Sequence, residues 1–341
     1  MEVMESLWLY HHPVYGLTSG RRAIDWLGRW LRIASLRHAM RQLGMEQPIL
    51  WLCRPTTVDM VGHFNEALVC YHVVDEYAAY SFLEPNKRQQ MIVAEQRLLN
   101  LADIVLVVSP TLLETKSRYH PNVHLVRNGV DFNAFVRATR SEVPPPPDIA
   151  ALSQPRIGYV GVINDKLDFK LLRYVAEALP TCSLVLVGPI DRHSDADSLR
   201  EAGLDNVKFL GRKDVNEVPY YINACDVCLL PYKQNEWTRN VDALKLYEYL
   251  ACGKPIVSVD IPTAREHGAV IRIADSWETF VAAVKAALSE NSMVAIEQRR
   301  AIARENTWDK RVALISNLIA QTLNDRQSEQ PAMVRGKQID A

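Results

Sequence analysis

Apolar runs four to seven residues long recur along this chain, each followed by a stretch of helical periodicity, and this alternation constrains the fold more than any other feature. Runs of that length with few polar interruptions read as strands buried on both faces, the pattern of parallel α/β architecture. The expected strands are residues 6–10, 49–52, 67–73, 104–108, 123–126, 156–160, 183–187, 207–210, 227–230, 256–259 and 270–273. Two Rossmann-like sheets accommodate them. At 341 residues and 48% hydrophobic composition the chain can bury two cores. The stiff run Ser141-Glu-Val-Pro-Pro-Pro-Pro147 marks the break between them. The expected organisation is a first Rossmann-like domain over 1–140, a proline-rich linker over 141–150 and a second Rossmann-like domain over 151–305. A helix over 306–324 and a flexible, polar tail over 325–341 follow.

The formal net charge of −1 gives no reason to expect nucleic acid as a partner. No apolar run approaches the roughly 18 residues needed to span a bilayer, and the acidic start Met1-Glu-Val-Met-Glu5 is unlike a signal peptide, so the expected location is the cytoplasm. The six cysteines lie in apolar segments, as buried thiols of a reducing compartment do. Cys225-Asp-Val-Cys228 has no second pair at zinc-ligand spacing, so no metal site is expected. Residues 21–43 form the most basic segment, with rows Ile24, Leu27, Leu31 and Trp26, Trp30, Ile33. Interfacial helices share this pattern with packed helices ringed by arginines, and packing is slightly favoured.

The most informative stretch runs from Asn240 to Val259 and reads as a helix followed by a strand. Asp242 is an expected N-cap, Gly253 a C′ glycine, and Pro255 stops the helix before the strand at 256–259. Lys245 and Glu248 are three apart, so both project from one face near the partly positive helix start. A cation there suits a phosphate, and a carboxylate one turn deeper can accept hydrogen bonds from the vicinal hydroxyls of a ribose. The plainer alternative is an i,i+3 ion pair on a solvated helix. Gly161 follows an expected strand, where backbone amides can approach a phosphate. Asp75 and Glu76 end the strand at 67–73 at the carboxyl edge of its sheet, with His72 nearby, a grouping suited to acid–base work.

The run Lys245-Leu-Tyr-Glu-Tyr-Leu-Ala, continuing to Gly253-Lys-Pro-Ile-Val, resembles the donor-site helix of retaining GT-B glycosyltransferases of family 4, or group 1. Asn128-Gly-Val-Asp131 is similar to the interdomain motif of the same group. Within it the Pro-Ile-Leu-Trp run at 48–51 and the Val-Asp-Glu strand end resemble bacterial enzymes of teichuronic acid or exopolysaccharide biosynthesis. Such proteins usually carry another strand–loop–helix unit ahead of the segment matching 6–10, so a shortened amino-terminal domain is expected.

The resemblance implies a GT-B fold in which the first domain takes the acceptor, the second binds the donor, and the helix over 306–324 crosses back to the first. It implies ribose binding by Glu248 and phosphate contact by Lys245 and by the loop at Gly161. Many members carry an arginine where this chain has Val162; Lys166 is the candidate for the missing charge, and a solvated loop with Asp165 and Asp168 is the alternative. Arg212 and Lys213 fall on the loop that contacts the base, Thr238 on the segment lining the sugar pocket, and Asn240 where the family's Glu-x7-Glu pattern has its first glutamate. The implied reaction is a retaining, metal-independent transfer from a nucleotide diphosphate sugar to a glycan or lipid-linked acceptor in cell-surface polysaccharide synthesis, with no cofactor. Lys245, Asp75 and Glu76 are its expected catalytic residues, and a peripheral contact with the inner face of the plasma membrane is expected. Two alternatives share the fold: a non-catalytic subunit that binds a partner glycosyltransferase, and a nucleotide-sugar epimerase.

Overall fold

The computed structural model describes residues 2–4, 7–11, 22–140, 144–290 and 292–335. Strands β1 (Glu2–Met4) and β2 (Leu7–Trp8) pair antiparallel. The strand expected at 6–10 therefore folds back on its predecessor and joins neither parallel sheet, and its first residue lies outside the described residues.

Strands β3 (Ile49–Leu52), β4 (Leu68–Val73), β5 (Ile104–Val107) and β6 (Val123–Leu125) form a parallel sheet in sequential order. The second sheet contains β7 (Arg156–Val160), β8 (Ser183–Val187), β9 (Val207–Gly211), β10 (Val227–Leu230), β11 (Ile256–Val259) and β12 (Arg272–Ala274). Its order is β12-β11-β10-β7-β8-β9, all parallel. The winding reverses between β7 and β10, and a crevice opens beyond the carboxyl ends of strands at such a switch point. Strand β12 begins later than the pattern suggests because the N–H groups of Val270 and Ile271 donate to the His267 carbonyl at 2.9 and 3.2 Å, forming a turn.

One apolar cluster centred on β7, β8, β10 and β11 fills the second domain. Ile149, in the short helix Pro147–Ala150, is fully buried in it, so the end of the proline-rich segment is packed into that domain. Residues 141–143 lie outside the described residues. The first sheet is covered on one face by the helix Pro85–Leu101 through Leu98 and Leu99. On the other, Leu68, Cys70, Ile104 and Leu106 pack against Ile315, Leu318 and Ile319 of the helix Trp308–Arg335. That helix runs past Asn324, where a tail was expected, since a helix once started propagates at little cost through Arg326 and Gln327.

The domains are joined at Asn128-Gly-Val-Asp131. Val130 bridges to Thr307, and a Cβ on Gly129 would lie 2.8 Å from the Trp308 nitrogen, so only glycine fits beneath the crossing chain. From the second domain, Asp242 accepts the Asn128 N–H at 2.6 Å and the Tyr247 hydroxyl at 3.0 Å. Asp242 is thus not the helix cap expected of it: a partner 114 residues away takes its carboxylate. Burial pushes that carboxyl up to about 6, against the pull of the Asn128 N–H, Arg127 and Tyr247. The folded protein then holds the proton more tightly than an unfolded chain, whose aspartate titrates near 3.8. Stability on this account rises as pH falls through about 6 and levels off below about 4. Between about pH 7 and pH 5 the protein should gain roughly 1 kcal/mol relative to Asp242→Asn, read by urea denaturation. An equal pH response in the two proteins would remove Asp242 as the titrating group.

In the basic helix Arg22–Gln42, Ile33 is buried but Trp26 and Trp30 are 58% and 54% exposed, with Leu27 and Leu31 also exposed. Packing against the domain therefore does not account for this apolar row, contrary to the favoured expectation. Arg21 lies outside the described residues.

Candidate active site

The helix Leu244–Ala251 supplies the central charges. Its inner face, Leu246, Tyr247, Tyr249 and Leu250, is fully buried. It ends in the expected glycine: Gly253 has φ +71°, its N–H donates to the Leu250 carbonyl, and the Lys254 N–H donates to that of Tyr249. Lys245 Nζ and Glu248 Oε2 pair at 2.9 Å. Burial raises the Glu248 carboxyl, and the Lys245 charge opposes that rise.

Lys245 reaches across to the end of β7. A Cβ on Gly161 would lie 2.8 Å from Lys245 Cε, so the glycine lets the lysine lie against the loop backbone. Beside it, Gly188 after β8 has φ +144°, and a Cβ there would meet the Gly161 oxygen at 1.9 Å. The Gly161 N–H donates to the Val187 carbonyl at 2.8 Å, which fixes the two loops together at their base.

Lys245 and Val162, the residue after Gly161, border a cavity of about 270 Å3 between the domains at the switch point. Lys245, Lys166, Asn164, Tyr159 and Tyr232 line it from the second domain, and Val74, Asp75 and Asn128 from the first. Lys166 lies 4.7 Å from the Trp237 ring centroid and has no ion-pair partner among the described residues. Burial lowers its pKa, with Asp75 opposing. Asp75 accepts the Trp237 indole N–H and the Tyr80 hydroxyl, each at 2.9 Å. A carboxylate of one domain is thereby held by an aromatic side chain of the other, and two ammonium groups converge on one small space.

Other residues singled out in the sequence are placed differently. Glu76 is engaged by Lys116 at 2.7 Å, and Lys116 also holds Glu95 at 2.8 Å, so this carboxylate belongs to a buried ion network and does not line the cavity. Thr238 is buried, and its hydroxyl is taken up by the capping box of the helix Glu236–Arg239. The Asn240 side-chain amide donates to the Glu236 carbonyl at 2.8 Å. Neither of the last two lines the cavity. Glu248 borders it only through Lys245. Arg212 is exposed outside it, and Lys213 pairs with Asp148 at 2.5 Å. His72 packs edge-on against Trp51 and is lowered to about 4 by burial, so it stays neutral near neutral pH. Cys225 and Cys228 are both buried within the second core. The cavity's Tyr159, within β7, and Asn164 and Tyr232, just beyond β7 and β10, carry no sequence signal beyond those positions.

A larger cavity, about 1130 Å3, opens at the opposite edge of the second sheet among Ser183, Asn206 and Lys208. Its Asn206 amide is bonded to three backbone carbonyls, a turn-holding role.

Residues 154–290 match the family model described as glycosyl transferases group 1. A Bacillus subtilis (strain 168) protein described as a teichuronic acid biosynthesis glycosyltransferase, TuaH, is 28% identical over 278 residues, covering 77% of this chain and 70% of its own. The GDP-mannose-dependent monoacylated alpha-(1-6)-phosphatidylinositol monomannoside mannosyltransferase of Corynebacterium glutamicum is 27% identical over 192 residues, 51% of this chain and 48% of that protein. Among solved structures, sucrose-phosphate synthase from Thermosynechococcus elongatus superposes with a TM-score of 0.70 at 18% identity, over 89% of this chain and 80% of that one. HepE of Anabaena, in complex with UDP, gives 0.64 at 18% identity, over 89% and 84%. At such identities the likeness is one of fold, and the two parallel-sheet domains are those of the GT-B architecture.

Proposed function

We propose, for a chain that is a glycosyltransferase on the GT-B fold, a retaining, metal-independent transfer of a sugar from a nucleoside diphosphate sugar to a glycan or lipid-linked acceptor in cell-surface polysaccharide synthesis. The observation that carries this reading is the convergence of Lys245, Lys166 and the Gly161 loop on the interdomain cavity. Two ammonium groups in a half-dry crevice supply the positive charge that a departing diphosphate requires, which supports a reaction that needs no metal ion. The acceptor oxygen bonds to the anomeric carbon from the face the diphosphate leaves, and its proton passes to a diphosphate oxygen, so no protein nucleophile is involved. In this reading Asp75, held by Trp237 and Tyr80, orients the acceptor hydroxyl. The UDP in the HepE structure supports a nucleoside diphosphate in the cleft. The phosphatidylinositol mannoside named for the Corynebacterium relative supports a lipid-linked acceptor.

Calorimetric titration of the purified protein with UDP, GDP and ADP tests the donor site. One nucleotide should bind, and Glu248→Ala should weaken it about tenfold or more, the usual effect of losing a charge-assisted hydrogen bond. Silence from all three would sink the donor assignment, and unchanged affinity in the variant would remove Glu248 from the ribose.

No helix among the described residues is long and apolar enough to cross a membrane. The exposed Trp26, Leu27, Trp30 and Leu31 beside the helix's arginines support a peripheral contact with an anionic lipid surface. Sedimentation with phosphatidylglycerol vesicles should carry the protein down, and Trp26→Ala with Trp30→Ala should leave most of it in solution. Equal sedimentation of both would exclude this face.

A further inference from the structure

A second hollow, of about 390 Å3, lies between the domains close to the donor cavity. Tyr80 lines it and donates to Asp75, which lines the donor cavity, so the two spaces share one hydrogen-bonded wall. Resting on the donor-site reading above, we propose that this hollow is the acceptor subsite and that Arg54 and Arg192 select a saccharide bearing a negative charge, either a carboxylate or a phosphoryl group.

The volume is that of a small-ligand site, within the general range of roughly 300–1,000 Å3. Its wall is aromatic. Tyr77 and Tyr80 have ring centroids 5.6 Å apart, Tyr80 and Phe82 5.2 Å, and Phe82 stacks on His193 of the other domain at 4.2 Å and 3°. The electron-rich faces of such rings suit the C–H face of a pyranose. Into this wall project two guanidinium groups, one from each domain. Arg54 lies beside the Tyr77 hydroxyl, and Arg192 Nε donates to His193 Nε2 at 3.0 Å. Neither has an ion-pair partner among the described residues. The acid that shares the hollow, Asp191, turns Oδ1 to its own loop and accepts the His193 N–H at 2.8 Å. Two fork-shaped cations against one internally bonded carboxylate leave net positive charge, and guanidinium geometry matches carboxylate and phosphate oxygens in pairs. An anion held by both would also bind the domains to each other.

Methyl glucuronide, glucose 1-phosphate and methyl glucoside serve as probes, their affinities for the full chain read by saturation-transfer NMR in the presence of UDP. At least one charged probe should bind about tenfold or more tighter than the neutral glucoside, and the better of the two identifies the carboxylate or the phosphoryl group. Arg54→Gln with Arg192→Gln should abolish that preference while leaving nucleotide affinity and the thermal midpoint unchanged, since both side chains are exposed. Equal binding of charged and neutral probes, or a preference that survives in the double variant, would overturn the proposal. Absence of nucleotide binding by the unaltered protein counts against the donor site instead, because the charged-over-neutral ratio is read independently of it.

Discussion

Lys245→Ala should lower turnover by about 10²-fold or more while the protein stays folded. Preorganised groups that meet charge developing in a transition state typically carry effects of that size when removed. The geometry gives this lysine two neighbours: Glu248, at 2.9 Å, and the Gly161 backbone, against which its Cε lies. In the ligand-free protein its charge is balanced by Glu248, and an incoming diphosphate competes for it. Removing the ammonium leaves Glu248 buried without its cation, so the Glu248 carboxyl should rise further. The measurement is kcat at saturating donor with tightly bound nucleotide as a control. A kcat within a few-fold of the unaltered enzyme would take Lys245 out of the chemistry.

Gly188→Ala should be the most damaging single methyl group that can be added near the site. The Cβ would overlap the Gly161 oxygen at 1.9 Å and the Gly161 carbon at 2.7 Å, and the φ of +144° is one that alanine adopts only under strain. Backbone strain and overpacking each cost about 1–3 kcal/mol, so a loss of roughly 3 kcal/mol or more is expected. To relieve the overlap the Gly161 loop must move, which displaces the support under Lys245, so nucleotide binding should fall with stability. Gly203→Ala is the control, with φ +64° and nothing within 4 Å of the added carbon. It should show strain alone, about 1–2 kcal/mol, with native nucleotide affinity. If Gly188→Ala matched that control in urea midpoint and affinity, the packing of the two loops would carry no functional weight.

The inner strands of both sheets were legible because a strand buried on both faces is a short uninterrupted apolar run: β5, β7, β8, β10 and β11 are buried at every position. The helix Leu244–Ala251 was legible for a similar reason, since its end is written in the local signals Gly253 and Pro255. Its start was not, because Asp242 is a good cap by local rules and a better partner for Asn128. Glu76 shows the same limit. Nothing in the sequence brings Lys116 and Glu95 to it, and a carboxylate at a strand's carboxyl edge looks equally free whether or not a buried lysine holds it. The bond from Trp237 to Asp75 spans 162 residues and depends on how the domains face each other, which no local pattern encodes. The helix Arg22–Gln42 carries arginines beside a broad apolar row, a pattern common to packed and interfacial helices, and only the exposure of Trp26 and Trp30 separates the two.

The packing of Ile315, Leu318 and Ile319 beneath the first sheet bears on the order in which the protein is made. A ribosome delivers β3 to β6 early, yet one whole face of that sheet has no cover until residues near the other end of the chain emerge. The second domain, whose core draws mostly on residues 149–303 with a few side chains such as Ala79 and Phe135 from the first, can settle first. The domain synthesised first would then be completed last, and its bare face is where a nascent-chain chaperone would find an apolar surface to hold.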